Sequence, residues 1–352
     1  MHARTLMAVL AMAATCSPVA AREFTIVSRS GAWDQAQHQV YFAPFTFATG
    51  IAIDPQTWPG AAAPGGPSGI DSLREQVKSG SPAWDLVQME NEALQPACDE
   101  GLLEKLDWSA IGGREHYLPQ GVSDCGVGAV IYTYVLAWDR DKLQGAPTWA
   151  DFWDVTKYPG KRGLRRGART NLEFALLADG VAPGDVYKAL RTSDGVDRAF
   201  HKLDQLRPYI LWWQTPDESA RILTSSEVLM TSAPNGRITL ASRSDNRNFG
   251  MQWAGSLYAI DSWAIPKGSA NRKQSYQFLY MAGTAAIQAR MIPVAPYPGL
   301  AKGVNDFTPP ELQPISPVAP ANMGAGIPID EQFWRENQDK LNQRFESWLS
   351  RG

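Results

Sequence analysis

The sequence predicts an α/β protein built as two lobes, and three observations carry that reading. β-rich runs alternate with helical stretches between residues 24 and 87, which implies a mostly parallel sheet with helices on its faces. A cluster of tryptophans and a basic segment then open a second unit of the same kind. The chain has 352 residues, 44% hydrophobic, 10% aromatic and 20% charged, enough for about two domains. Lys+Arg 33 against Asp+Glu 36 gives a net charge of -3, with no basic excess to favour nucleic acid or an anionic membrane.

The chain opens on a secretory signal peptide, residues 1–21. Met1 to Arg4 is a short positive region, Leu6 to Thr15 an apolar stretch, and Val19-Ala20-Ala21 a small-residue cleavage site. The apolar stretch is too short to span a bilayer as a helix. Ala13-Ala14-Thr15 before Cys16 lacks the aliphatic pattern of a lipidated cysteine, so Cys16 leaves with the signal. Cleavage after Ala21 then leaves Cys98 and Cys125, and in an oxidising compartment such a pair is expected to form a disulfide. Neither has a second Cys or a His at metal-ligand spacing, so no metal site is expected.

Along the mature chain, Phe24-Thr25-Ile26-Val27-Ser28 reads as a strand, the polar turn Arg29-Ser30-Gly31-Ala32 follows, and a helix covers Gln35 to Phe47. Gly50 to Ile53 is extended, and the Pro/Gly-rich stretch from Asp54 to Gly69 is a loop. Ile70 to Ser79 is a helix, and Trp84 to Val87 returns to strand. Ligands in open α/β sheets bind at the carboxyl ends of strands, so the turn holding Ser30, Gly31 and Trp33 is a candidate cleft wall.

Ala129 to Trp138 is a long extended apolar run. After Trp149, Phe152 and Trp153 comes the basic segment Lys161 to Arg169, then helices near Leu172 to Leu177 and Gly195 to Leu206. Strands are expected at Ile210 to Trp213, Val228 to Thr231 and Ser256 to Asp261. Trp212 and Trp213 cannot both face a cleft from one strand. Nine prolines between Pro293 and Pro328 exclude helix or central strand and predict a surface wrap. The chain closes on an amphipathic helix with Phe333, Trp334, Leu341, Phe345, Trp348 and Leu349 on one face, behind an Asp330 cap.

His38, His116 and His201 are scattered, and no HExxH, GxSxG, Walker A or GxGxxG pattern occurs, which argues against nucleophilic, metal or cofactor-dependent catalysis. No cofactor is expected. Paired carboxylates of a secreted carbohydrate-active enzyme stay open as the alternative, because their separation is not a sequence quantity.

Specific segments narrow the reading. Phe45-Thr46-Phe47-Ala48-Thr49-Gly50-Ile51, Trp84-Asp85-Leu86-Val87, Cys98-Asp99-Glu100-Gly101-Leu102-Leu103, Thr148-Trp149-Ala150-Asp151-Phe152-Trp153, Tyr158-Pro159-Gly160-Lys161, Glu227-Val228 with Asn235-Gly236, and Asp261-Ser262-Trp263-Ala264-Ile265-Pro266 stand in order. Together they make nearly the whole mature chain resemble the substrate-binding proteins of spermidine/putrescine-type ABC importers. The resemblance implies a non-enzymatic type II periplasmic binding protein of two α/β lobes joined by a hinge, a monomer that delivers its ligand to a membrane permease. Lobe one is then 22–135 and 262–300, and lobe two 136–261 and 301–352. The hinge crossings lie near Tyr132 to Trp138 and near Ser262, with the disulfide inside lobe one.

The family's ligand set is altered here. Asp261 matches its ammonium-binding carboxylate, but the tryptophans of polyamine binders are replaced by Ala259 and Pro234. Where an acidic cluster is expected, the chain reads Arg165, Arg166, Gly167, Ala168, Arg169, and Arg237 follows Asn235-Gly236. One retained carboxylate and a gained arginine fit a zwitterion, a small γ-amino-acid or opine-like compound being typical, with Asp261 on the amine and Arg237 on the carboxylate. A polyamine held by other residues is the second ligand class. Trp33 and Tyr258 are candidate walls and Glu90 a candidate polar contact. For each residue a structural role is the competing reading: an ion pair for Arg237, a turn carboxylate for Asp261, core packing for Trp33 and Tyr258.

Overall fold

The computed structural model describes residues 22–59 and 68–351; the signal peptide expected at residues 1–21, including Cys16, lies outside them. Nine strands form one sheet: β1 (Phe24–Ser28), β2 (Ile53–Thr57), β3 (Leu86–Glu90), β4 (Val127–Asp139), β5 (Arg162–Arg165), β6 (Ile210–Trp213), β7 (Met230–Pro234), β8 (Phe249–Ala264) and β9 (Ile327–Pro328). Their order is β2-β1-β3-β8-β4-β7-β5-β6, with β9 beside β8. Strands β2, β1 and β3 run parallel, as do β7, β5 and β6, while the antiparallel pair β4 and β8 lies between the two sets. The sheet is therefore a near mirror of itself in strand order. The same three-strand parallel arrangement thus recurs on either side of the crossing pair.

The strands of thirteen and sixteen residues, β4 and β8, are long because they serve both halves. Their inner ends pack in lobe one, where Phe24, Ile26, Trp263 and Phe278 form one core and Val27, Leu73, Val87 and Leu94 a second. Their outer ends pack in lobe two, whose core gathers Leu136, Trp149, Phe174, Trp213 and Phe345. Cys98 and Cys125 are joined, tying the helix Asn91–Asp99 to the start of β4.

Local chemistry accounts for most boundaries. The first helix runs from Ala32 to Thr49 with a π-helical stretch at His38–Phe42, and Gly50 ends it at φ 72°, the left-handed conformation glycine adopts without strain. Capping boxes at Ser68/Asp71, Thr148/Asp151 and Thr215/Glu218 start three further helices. Asp330 accepts a hydrogen bond from the Phe333 N–H and begins the closing helix Glu331–Leu349.

Two expectations are corrected. Part of the loop after Ile53 is strand β2, where Pro55 is tolerated because β2 is an edge paired only with β1. The proline-rich segment does not simply wrap the surface: Leu300, Ala301 and Val304 are buried with Ile131 and Ile260. Prolines cannot donate, but their carbonyls accept, from Ile131 N to Pro298 O at 3.0 Å and from Asn235 Nδ2 to Pro296 O at 2.9 Å. Acceptor-only backbone suits a segment threaded past the crossing strands.

Candidate functional site

A cavity of about 440 Å³ opens between the halves of the sheet, and its walls follow the topology. Arg29 and Trp33 come from the end of β1, Gln88 and Glu92 from the end of β3, Arg165 and Arg169 from the end of β5, Pro234 and Arg237 from the end of β7. These are the carboxyl ends of the parallel strands in both lobes. The crossing strands supply the floor: Val130, Tyr132 and Tyr134 alternate along β4, and Asp261 lies opposite Val130 on β8. Tyr297, from the proline-rich segment, completes an aromatic set with Trp33 at 5.9 Å in an edge-to-face contact.

Asp261 is the buried anion of this site. Its Oδ2 accepts from Arg29 Nε at 2.8 Å, whereas Oδ1 is buried without a partner. Burial raises the Asp261 pKa and Arg29 pulls it back, leaving it above the usual carboxylate value. The same charge pair raises Arg29. Arg29 also donates from Nη2 to Glu90 Oε1 at 2.6 Å, and Trp58 Nε1 holds Oε2 at 3.1 Å. Burial, and after it the Asp261 charge, push the Tyr132 phenol well above its ordinary pKa, so it is a neutral hydrogen-bonding group beside the acid.

The opposite wall is cationic. Arg165 donates from Nη1 to Tyr134 Oη at 3.3 Å and, among the described residues, pairs with no carboxylate. Arg237 pairs with Asp217 at 3.0 Å, but Asp217 is 79% exposed, so the pair is weak and the guanidinium is available. Arg169 is engaged by Glu92 and Glu331. Arg166 turns away to Glu346. The sign change in this segment thus delivers two cavity arginines, Arg165 and Arg169, rather than three.

The Asn235-Gly236 pair has a physical role here. Asn235 Oδ1 accepts from Thr133 N at 3.1 Å on β4 while its Nδ2 reaches Pro296 O, stapling β7 to the crossing strand and to the segment carrying Tyr297. A Cβ at Gly236 would come within 2.1 Å of the Tyr297 ring, so only glycine leaves room for that wall.

The structure brings Asp261, Arg237 and Trp33 together on the cavity. Glu90 stands behind Arg29, outside the lining. Tyr258 is corrected: it packs with Ile131, Ile260 and Leu300 on the other face of β8, because residues 258 and 261 differ by an odd number in a strand of period two. Trp213 is buried in the lobe-two core and Trp212 packs edge-on against Phe345 and Trp348. Neither lines the cavity. Sequence reasoning missed Arg29, Gln88, Tyr132, Tyr134, Glu92 and Tyr297 as site residues, and it singled out Arg165 and Arg169 as a change of charge without naming either a ligand contact. Arg29 follows β1 directly, and the two β4 tyrosines were readable from strand alternation; Glu92 and Tyr297 carried no such signal.

Among the described residues no helix is long and apolar enough to cross a membrane, and no group of His, Cys, Asp or Glu is arranged to hold a metal. Comparison with known proteins agrees with the architecture. A gamma-aminobutyric acid-binding protein from Pseudomonas aeruginosa is 38% identical over 339 residues, covering 96% of this chain and 94% of that one. The crystal structure of an ABC transporter substrate-binding protein from Bradyrhizobium japonicum superposes with a TM-score of 0.80 at 30% identity, covering 93% of this chain and 99% of the other. The Atu4243 GABA receptor superposes at 0.78 with 29% identity, covering 93% and 97%. The fold is that of the two-lobed type II periplasmic binding proteins. With the family model for bacterial extracellular solute-binding proteins matching residues 41–317, the chain belongs to that family.

Proposed function

We propose that the protein is the periplasmic solute-binding component of an ABC importer, and that it captures a small zwitterion of the γ-amino-acid class in the interlobe cavity and delivers it to a membrane permease. One observation carries the ligand class: a buried carboxylate oxygen without a partner, Asp261 Oδ1, and a guanidinium without a carboxylate, Arg165, stand on the walls of one cavity. Asp261 takes the ammonium, aided by the neutral Tyr132 and the faces of Trp33 and Tyr297. Arg165, with Arg237 on the same cavity, takes the carboxylate bidentately. A γ-aminobutyrate-binding relative at 38% identity supports the same class. A diamine would place its second ammonium against the arginines, which disfavours the polyamine reading.

The lobes close about β4 and β8 as a monomer. We take lobe one as 22–135 and 262–300, and the packing of Ala301, Val304 and Val318 with Ala289 and Ile292 supports counting the chain to about residue 318 with it. Lobe two is the remainder.

A thermal-shift screen of small amines, amino acids and oligosaccharides tests the function. γ-Aminobutyrate at about 100 times its Kd should add about 2.7 kcal/mol of stability, with the ligand recovered unchanged. Stabilisation by oligosaccharides with steady release of reducing sugar would replace binding by the carbohydrate-enzyme reading.

A further inference from the structure

We propose that Glu92 and Arg169 form a clasp between the lobes that sets how far the cleft opens at rest, whatever the ligand. Glu92 lies in the first turn of the helix Asn91–Asp99, anchored in lobe one through Leu94 and Ala97. Arg169 lies after β5 in lobe two. Arg169 Nη1 meets Glu92 Oε2 at 2.6 Å across the cleft, and Nη2 meets Glu331 Oε1 and Oε2 at 2.7 and 2.8 Å within lobe two. Among the ion pairs of the described residues, this is the one whose partners sit in different lobes away from the crossing strands.

The three groups are unequally exposed, and the inequality gives the clasp its direction. Arg169 is 16% exposed and Glu331 17%, while Glu92 is 40% exposed. Glu331 is fixed by the closing helix, which buries Phe333 and Trp334 in lobe two. When the cleft opens, Arg169 keeps its partner in lobe two and stays neutralised, and Glu92 is released to water, where a carboxylate is well solvated. Thr170, next to Arg169, holds φ 73°, a strained conformation for a β-branched residue.

Both clasp residues also line the cavity, so a bias on the lobes and a contact with ligand are separated by the ligand-free state: loss of a bias on the lobes opens the protein without ligand, lowers the closed fraction and scales every apparent Kd by one factor. The inference rests on the interlobe-cleft reading of function but not on the ligand's identity. Small-angle scattering of the ligand-free protein tests it in wild type, Glu92→Gln and Glu92→Lys. The radius of gyration should rise in that order, and the lysine variant should be the most open because it repels Arg169. Calorimetry with γ-aminobutyrate and 5-aminopentanoate should show both affinities falling together in Glu92→Gln, by about tenfold. Unchanged ligand-free scattering in both variants would overturn the clasp, as would a loss of affinity for one ligand and not the other, which would make Glu92 a ligand contact. If γ-aminobutyrate fails to bind wild type, the ligand assignment falls and the scattering still decides the clasp.

Discussion

Arg29 and Asp261, 232 residues apart in the chain, share a 2.8 Å hydrogen bond that uses one oxygen of the carboxylate and leaves the other without a partner. The guanidinium stabilises the buried charge and leaves an acceptor unused. Arg29→Met should therefore destabilise the ligand-free protein by about 1–3 kcal/mol, less than the full cost of an orphaned buried charge because Arg29 is 42% exposed. Arg29→Lys should recover only part, since one ammonium cannot serve Asp261 and Glu90 in the fork geometry. Urea unfolding of the three proteins measures both.

Gly236 and Tyr297 make a second test. Gly236→Ala should weaken γ-aminobutyrate binding and cost about 1–3 kcal/mol of stability, because the ring must yield or the helix shift. Gly236→Ala combined with Tyr297→Ala should regain the stability while leaving binding weak. Recovery of binding in the double variant would remove Tyr297 from the site.

The pH dependence has a definite sign. Burial of Glu331, only partly offset by Arg169 and aggravated by Glu92, pushes its pKa from 4.5 up to about 7. The folded state then holds this proton more tightly than the unfolded chain, so stability falls as pH rises from about 4.5 through 7 and the penalty is complete above that. The span corresponds to about 3 kcal/mol. Asp261 and Glu173 are raised as well and act in the same direction, so the informative quantity is the difference between wild type and Glu331→Gln. Between pH 5 and 8 the variant should lose less stability than wild type; parallel curves would contradict the assignment.

The signal-peptide expectation predicts a mature protein that begins at Arg22 and carries no free thiol. Reduction of Cys98–Cys125 should lower stability by about 3.5 kcal/mol in the chain-entropy account. Intact mass with and without alkylation, followed by unfolding with and without reductant, checks start, bond and magnitude.

How much was legible in the sequence depended on the range of the physics involved. Strand alternation and helical periodicity are local, so the two α/β units were readable from the residues, whereas Asp261 and the crossing near Tyr132 were singled out by the family resemblance. The same alternation, applied to Tyr258, would have turned it away from the cleft. Cleft walls built by loops were harder: nothing near Pro296 indicates that Asn235, 61 residues earlier, binds its carbonyl and so fixes Tyr297. Arg169 stood out as a reversal of charge, but its partner Glu92 is 77 residues away and sits in a helix the sequence reading did not assign. The buried proline-rich segment misled because proline composition reports missing donors and not the carbonyls that remain.

The central claim is that the cavity has one anionic and one cationic pole matched to a zwitterion. Isothermal calorimetry of γ-aminobutyrate and putrescine against wild type, Asp261→Asn and Arg165→Gln tests it most directly, with Arg237→Ala apportioning the cationic pole. Wild type should bind γ-aminobutyrate and bind putrescine far more weakly. Each of Asp261→Asn and Arg165→Gln should cost γ-aminobutyrate about 2–5 kcal/mol, because the opposite charge of the ligand is left desolvated and unpaired. Tighter binding of putrescine than of γ-aminobutyrate, surviving or improving in Arg165→Gln, would contradict the account and return the site to the polyamine class.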